Sequence, residues 1–116
     1  MTEIELKYRT KAFALRVIKL ASSLSKDFAG RRLGDQLLRS ACSVAANYRA
    51  ACRARSKADF ISKLGIAEEE ADESLFWLEL LVESGLVPSK RLEQLLKEAD
   101  ELTAIFVASR KTSSSK

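Results

Sequence analysis

Apolar residues recur every three or four positions in four separate stretches of this chain, the spacing that lines one face of an α-helix. In the first, Phe13, Val17, Leu20, Ala21 and Leu24 form one stripe and predict a helix over about 6–26. Asp27 to Gly30 breaks the pattern, and Gly30 is the expected C-terminal stop. The second helix spans about 32–55, with Leu37, Ala41, Val44, Tyr48 and Ala51 or Cys52 on its inner face. Ser40, Ser43, Ala45, Ala46 and Ala50 keep that helix thin, so a neighbour can approach closely. The third, about 57–84, opens on Ser56 and Asp59 as a capping pair and stops at Gly85. Its stripe runs through Phe60, Leu64, Ala67, Ala71, Leu75 or Ser74, Leu78, and Leu81 or Val82. Gly65 interrupts it, and a close helix crossing is the simplest reason for a glycine there. After Pro88, Ser89 is the expected cap of a fourth helix over about 89–110, buried through Leu92, Leu95, Leu96, Ala99, Leu102 and Phe106.

Four such helices joined by short turns predict an all-α, antiparallel up-down-up-down four-helix bundle. The bundle occupies residues 1–110, and the polar tail 111–116, KTSSSK, is expected to be disordered. At 116 residues, with only 4 Gly and 1 Pro, the chain has room for one core and little turn material for a many-stranded fold.

The apolar surface exceeds what one bundle needs. Phe76, Trp77 and Leu80 flank the main stripe of the third helix, and Phe76 and Trp77 point about 100° apart, so both cannot enter one seam. Leu15, Ile18, Ile105 and Val107 also fall off-stripe. These positions predict a subunit interface in a homo-oligomer. A wide core face with scattered exposed apolar residues is the alternative.

Composition narrows the chemistry. There is no histidine, which removes the commonest general base and metal-ligating nitrogen. Cys42 and Cys52 are ten residues apart on one helix, about 15 Å, too far for a disulfide. They suit a reducing compartment, and with no secretory leader or membrane span legible the cytoplasm is the expected location. The glycines form no phosphate loop, and the acidic run Glu68-Glu69-Glu70 with Asp72 and Glu73 lacks the histidines of a di-iron bundle. No metal, cofactor or catalytic residue is expected, and binding is favoured over catalysis.

Charge carries the functional signal. Residues 1–64 hold 14 Lys/Arg against 5 Asp/Glu, whereas residues 65–116 hold 6 against 11. Arg49, Arg53, Arg55 and Lys57 cluster at the end of the second helix, and antiparallel packing brings Lys7, Arg9 and Lys11 to the same end. Such a patch would neutralise phosphates of RNA or DNA. A solvated cationic end, or pairing with a neighbour's acidic helix, is the competing account. Asn47, among small residues near the inner face, is expected to hydrogen-bond across the bundle and fix register.

The run Gln36-Leu37-Leu38-Arg39-Ser40-Ala41-Cys42-Ser43-Val44-Ala45-Ala46-Asn47 resembles the signature of the ribosomal RNA intervening-sequence proteins: Arg, small residues, Ser-Ile/Val, two residues, then Asn. Ser56 to Leu64, Ser74-Leu75 and Leu78-Glu79 are similar to later family segments, so the likeness covers roughly 6–108. After the Asn, this chain has Tyr48-Arg49-Ala50-Ala51 where the family often has Ile-Ala-Glu-Gly, and no role of that Glu carries over. The resemblance implies a homopentamer of four-helix subunits. It also points to a relative, the accessory variability protein of diversity-generating retroelements, a basic pentamer that partners a reverse transcriptase and its template RNA. The expected function is thus a non-enzymatic, oligomeric RNA-binding accessory protein assisting a reverse transcriptase. The alternative is a protein-interaction scaffold.

Overall fold

The computed structural model describes residues 1–115 and contains four helices: α1 (Glu3–Ser23), α2 (Phe28–Cys52), α3 (Lys57–Glu83) and α4 (Ser89–Ser114). Each helix start is set by local chemistry. The side chains of Thr2, Asp27 and Ser56 accept from the backbone N–H groups of Glu5, Gly30 and Asp59, satisfying donors that a first turn leaves unpaired. At α4, Pro88 takes the cap position expected of Ser89 and offers no side-chain bond. Its fixed φ and missing N–H suit the entry to a helix.

Consecutive helices run antiparallel. α2 lies between α1 and α3, α3 packs on α4, and α4 returns to α1 along a lighter contact. The result is an up-down bundle of 47 × 21 × 19 Å. The stripes read from the sequence fill its interior: Phe13, Val17, Leu37, Val44, Leu64, Leu78, Leu81, Leu92, Leu102 and Phe106 are fully buried. The small residues Ala41, Ala67, Ala71 and Ala99 among them let the backbones close in. Tyr48 and Phe106 meet at 5.7 Å between ring centroids near the open end of α1 and α2.

Three expectations need correcting. Gly30 belongs to the first turn of α2 and does not stop α1. A Cβ there would lie 2.3 Å from the backbone oxygen of Ser25, so the tight α1–α2 loop requires glycine. Gly65 is not a close crossing, because a Cβ would meet only Arg110 Cδ, at 4.0 Å. The segment expected to be disordered continues α4 to Ser114, with the Ser115 N–H donating to Lys111 O at 3.1 Å. Extending an established helix by polar residues costs little, and Lys111 complements the negative C-terminal end. Lys116 lies outside the described residues. Gly85 does end the α3 turn as expected, with φ +80°.

Candidate nucleic-acid interface

The open end of the α1–α2 hairpin forms a groove of about 550 Å³. Two turns of α1 supply Ile4, Lys7, Tyr8 and Lys11, and the last turns of α2 supply Ala45, Ala46, Arg49 and Arg53. Ile4, Tyr8, Ala45 and Ala46 give the groove an apolar floor. Tyr8 is 79% exposed and Ile4 74%. Four cations ring that floor. Lys7 is 4.0 Å from Glu3, a weak surface pair, while Lys11, Arg49 and Arg53 make no ion pair among the described residues. Their charge is therefore not spent on holding the bundle together.

The sequence grouped seven cations here, and the structure divides them. Lys7, Lys11, Arg49 and Arg53 meet in the groove. Arg55, in the α2–α3 turn, and Lys57, the first residue of α3, are exposed and do not line it. Arg9 points to the other side of α1, where Nε and Nη2 donate to Glu98 and Nη2 also reaches Glu101. Glu98 above all holds that guanidinium more firmly protonated than a free arginine, against the opposing effect of burial and with Glu101 adding to the rise. Arg9 and Lys7 are two residues apart, so they cannot share a helix face. Sequence reasoning recognises Tyr8 as an exposed aromatic but misses Ile4, and it assigns Ala45 and Ala46 to the inner face of α2, whereas with Tyr8 they line this outer groove. The signal was present in the spacing of Ile4, Tyr8 and Lys11, which runs along one side of α1 away from Leu6 and Phe13.

Other singled-out residues do different work. Asn47 Nδ2 donates to Ser43 O and lies 2.9 Å from Ser43 Oγ, both on its own helix, so it does not bridge the bundle. The polar contact across the core is Ser40 with Ser74, whose hydroxyls are 2.9 Å apart. Trp77 is half-buried against the core and donates to Glu73 Oε1 at 3.1 Å, while Phe76 meets its edge and stays 49% exposed. Leu80 is half-buried. Of the expected interface trio, Phe76 thus presents the most free surface. Cys42 and Cys52 are free and half-buried, and burial raises the Cys52 thiol above its ordinary range.

A second shallow depression, between α1 and α4, carries Arg16, Lys19, Lys90 and Arg91. Glu93 shares it, Arg91 donates to the neutral Ser23 hydroxyl, and none of its four cations makes an ion pair among the described residues. Among the described residues no group of three metal-ligating side chains comes together, and no helix is long and apolar enough to cross a membrane.

No curated protein matched the chain. A solved structure of a protein of unknown function from the S23 ribosomal protein family of Bacteroides thetaiotaomicron is 33% identical. The match covers 96% of this chain and 99% of that one, with a TM-score of 0.88. The model of the 23S rRNA-intervening sequence proteins matches residues 2–108. The chain therefore belongs to the 23S rRNA-intervening sequence protein family.

Proposed function

We propose that this protein is a non-enzymatic, homo-oligomeric accessory protein that binds RNA through the α1–α2 groove. The observation that carries this reading is the ring of Lys7, Lys11, Arg49 and Arg53 around an apolar floor holding an exposed tyrosine. Lys11, Arg49 and Arg53, without carboxylate partners among the described residues, and Lys7, held only by a weak surface pair, can displace the counterions of a phosphate backbone. The Tyr8 ring offers a face on which an unpaired base can stack. Single-stranded RNA supplies both partners at once, phosphates for the rim and a base for the floor. The resemblance to the retroelement accessory protein adds a reverse transcriptase as the protein partner in this reading.

Binding of a short single-stranded RNA at low salt tests it. Arg49→Glu with Arg53→Glu should weaken binding at least tenfold without changing helix content. Undiminished binding by that double variant would remove the groove as the site.

A scaffold function without nucleic acid is the second reading, favoured by the exposed Phe76 on the acidic α3. A protein partner captured after nuclease treatment and lost on Phe76→Ala would support it over RNA binding.

A further inference from the structure

The two ends of the bundle place charge differently. α1 and α3 start at the open end with acids in their first turns, Glu3 and Glu5 in one and Asp59 in the other. Carboxylates are favoured there, because unpaired N–H groups make a helix start positive. α2 and α4 start at the opposite end, beside the α1–α2 and α3–α4 turns, and have no acid in the first turn. They put Arg31 and Arg32, and Lys90 and Arg91, where the same field disfavours cations. Of the acids at this end, Asp27 is engaged by the Gly30 N–H and the Ser25 hydroxyl. Asp35, Glu83 and Glu93 form no ion pair with these cations among the described residues. A local rule broken at two neighbouring helix starts, with nothing offsetting it, is the pattern expected of a functional surface.

The same end exposes an aromatic ring. Phe28, the first residue of α2, is 82% exposed, more than any other large apolar side chain among the described residues. Arg31 and Arg32 follow it by three and four positions and so share its side of the helix. Lys26 and Arg31 line a depression of about 490 Å³ at this end of the α1–α2 seam. Lys90 and Arg91 line the α1–α4 depression of about 740 Å³, and the bond from Arg91 to Ser23 joins the start of α4 to the end of α1. An exposed ring among unpaired cations is also what the groove presents around Tyr8. The two sets are well separated, since Arg31 and Arg49 lie about 27 Å apart along α2.

We infer that this end of the bundle is a second RNA-contacting surface, on which Phe28 stacks an unpaired base while Arg31, Arg32, Lys90 and Arg91 hold phosphates of the same strand. A strand that spans the two ends engages the groove and this surface together, and the second contact then forms at high effective concentration. Cations here are spread over two depressions instead of ringing one floor, so a short strand takes the groove. A lipid surface also suits cations and an exposed ring, but one ring buries little apolar area in a membrane. The inference rests on the RNA-binding reading above.

Fluorescence anisotropy at fixed low salt tests it, with single-stranded RNAs of about 5 and about 20 nucleotides. The proteins are wild type, Arg31→Glu/Lys90→Glu and Phe28→Ala. Wild type should bind the longer strand at least about tenfold more tightly than the shorter. Arg31→Glu/Lys90→Glu should remove most of that gain and Phe28→Ala at least about threefold of it, while both bind the shorter strand as wild type does. The charge reversals should also raise Tm, since they put carboxylates where the helix field favours them. Unchanged affinity for the longer strand, equal losses on both strands, or a lower Tm on charge reversal would overturn the second surface and leave the groove standing. Capture by phosphatidylserine vesicles, lost in Phe28→Ala with RNA binding intact, would overturn it in favour of a lipid surface. A wild type that binds neither strand would overturn the RNA reading itself.

Discussion

Arg9 on α1 grips Glu98 on α4 through two hydrogen bonds of 2.7 Å, from Nε to Oε2 and from Nη2 to Oε1. This fork spans the α1–α4 seam, where the helices touch least. Planar two-point pairing is the strongest form of a side-chain ion pair. Glu98 is the less accessible partner, so removing the arginine leaves a carboxylate short of donors. Arg9→Ala should lower unfolding free energy by about 1–2 kcal/mol, measured by urea denaturation. RNA affinity should stay unchanged, which separates Arg9 from the groove cations.

Two glycines should respond in opposite directions. Gly30→Ala forces a methyl group against Ser25 O and should cost about 1–3 kcal/mol, since backbone must shift. Gly65→Ala places a methyl group in open space on a helix and should stabilise the protein by about 0.5–1 kcal/mol. Thermal melts of both variants read the signs directly.

The buried hydroxyl pair offers a double-mutant cycle. Ser40 Oγ lies 3.1 Å from Leu37 O, and Ser74 Oγ lies 2.8 Å from Glu70 O, so each serine can bond its own helix or the other serine. Ser40→Ala and Ser74→Ala should each cost about 1 kcal/mol, and the double variant should cost less than their sum. Full additivity would show that the contact between α2 and α3 contributes nothing.

Glu73 gives a pH signature. Burial pushes its carboxyl up, but donors from Arg39 and Trp77 outweigh that effect and hold it below the usual carboxylate range. A folded-state value below the unfolded one means that the unfolded chain binds the proton more tightly, so this contribution is present at neutral pH and lost as pH falls through the folded value. The carboxylate is about one-third exposed, so solvent screening limits the effect to about 1 kcal/mol or less. Glu73→Gln should therefore be less stable than wild type at pH 7, with the difference closing in acid.

The fold was legible because helix periodicity reports burial directly: Phe13, Leu37, Leu64 and Leu102 lie in the core as their spacing implies. Helix boundaries were less legible. Gly30 reads as a stop in sequence, yet Asp27 caps a helix that runs straight through it. Half of the candidate site was also legible. Antiparallel topology brings Lys7 and Lys11 to Arg49 and Arg53, but helical phase turns Arg9 to the opposite side, and charge counting ignores phase. Asn47 illustrates a different limit. An amide that finds its acceptors four residues back on its own helix leaves no mark that distinguishes it from one reaching across.

Salt dependence of RNA binding tests the central claim most directly. If Lys7, Lys11, Arg49 and Arg53 each neutralise one phosphate of a single strand, log K against log salt should fall with a slope of about −3 per site, and Arg49→Glu/Arg53→Glu should roughly halve it. A slope near zero, or the same slope in that variant, would contradict the groove as the RNA-binding surface.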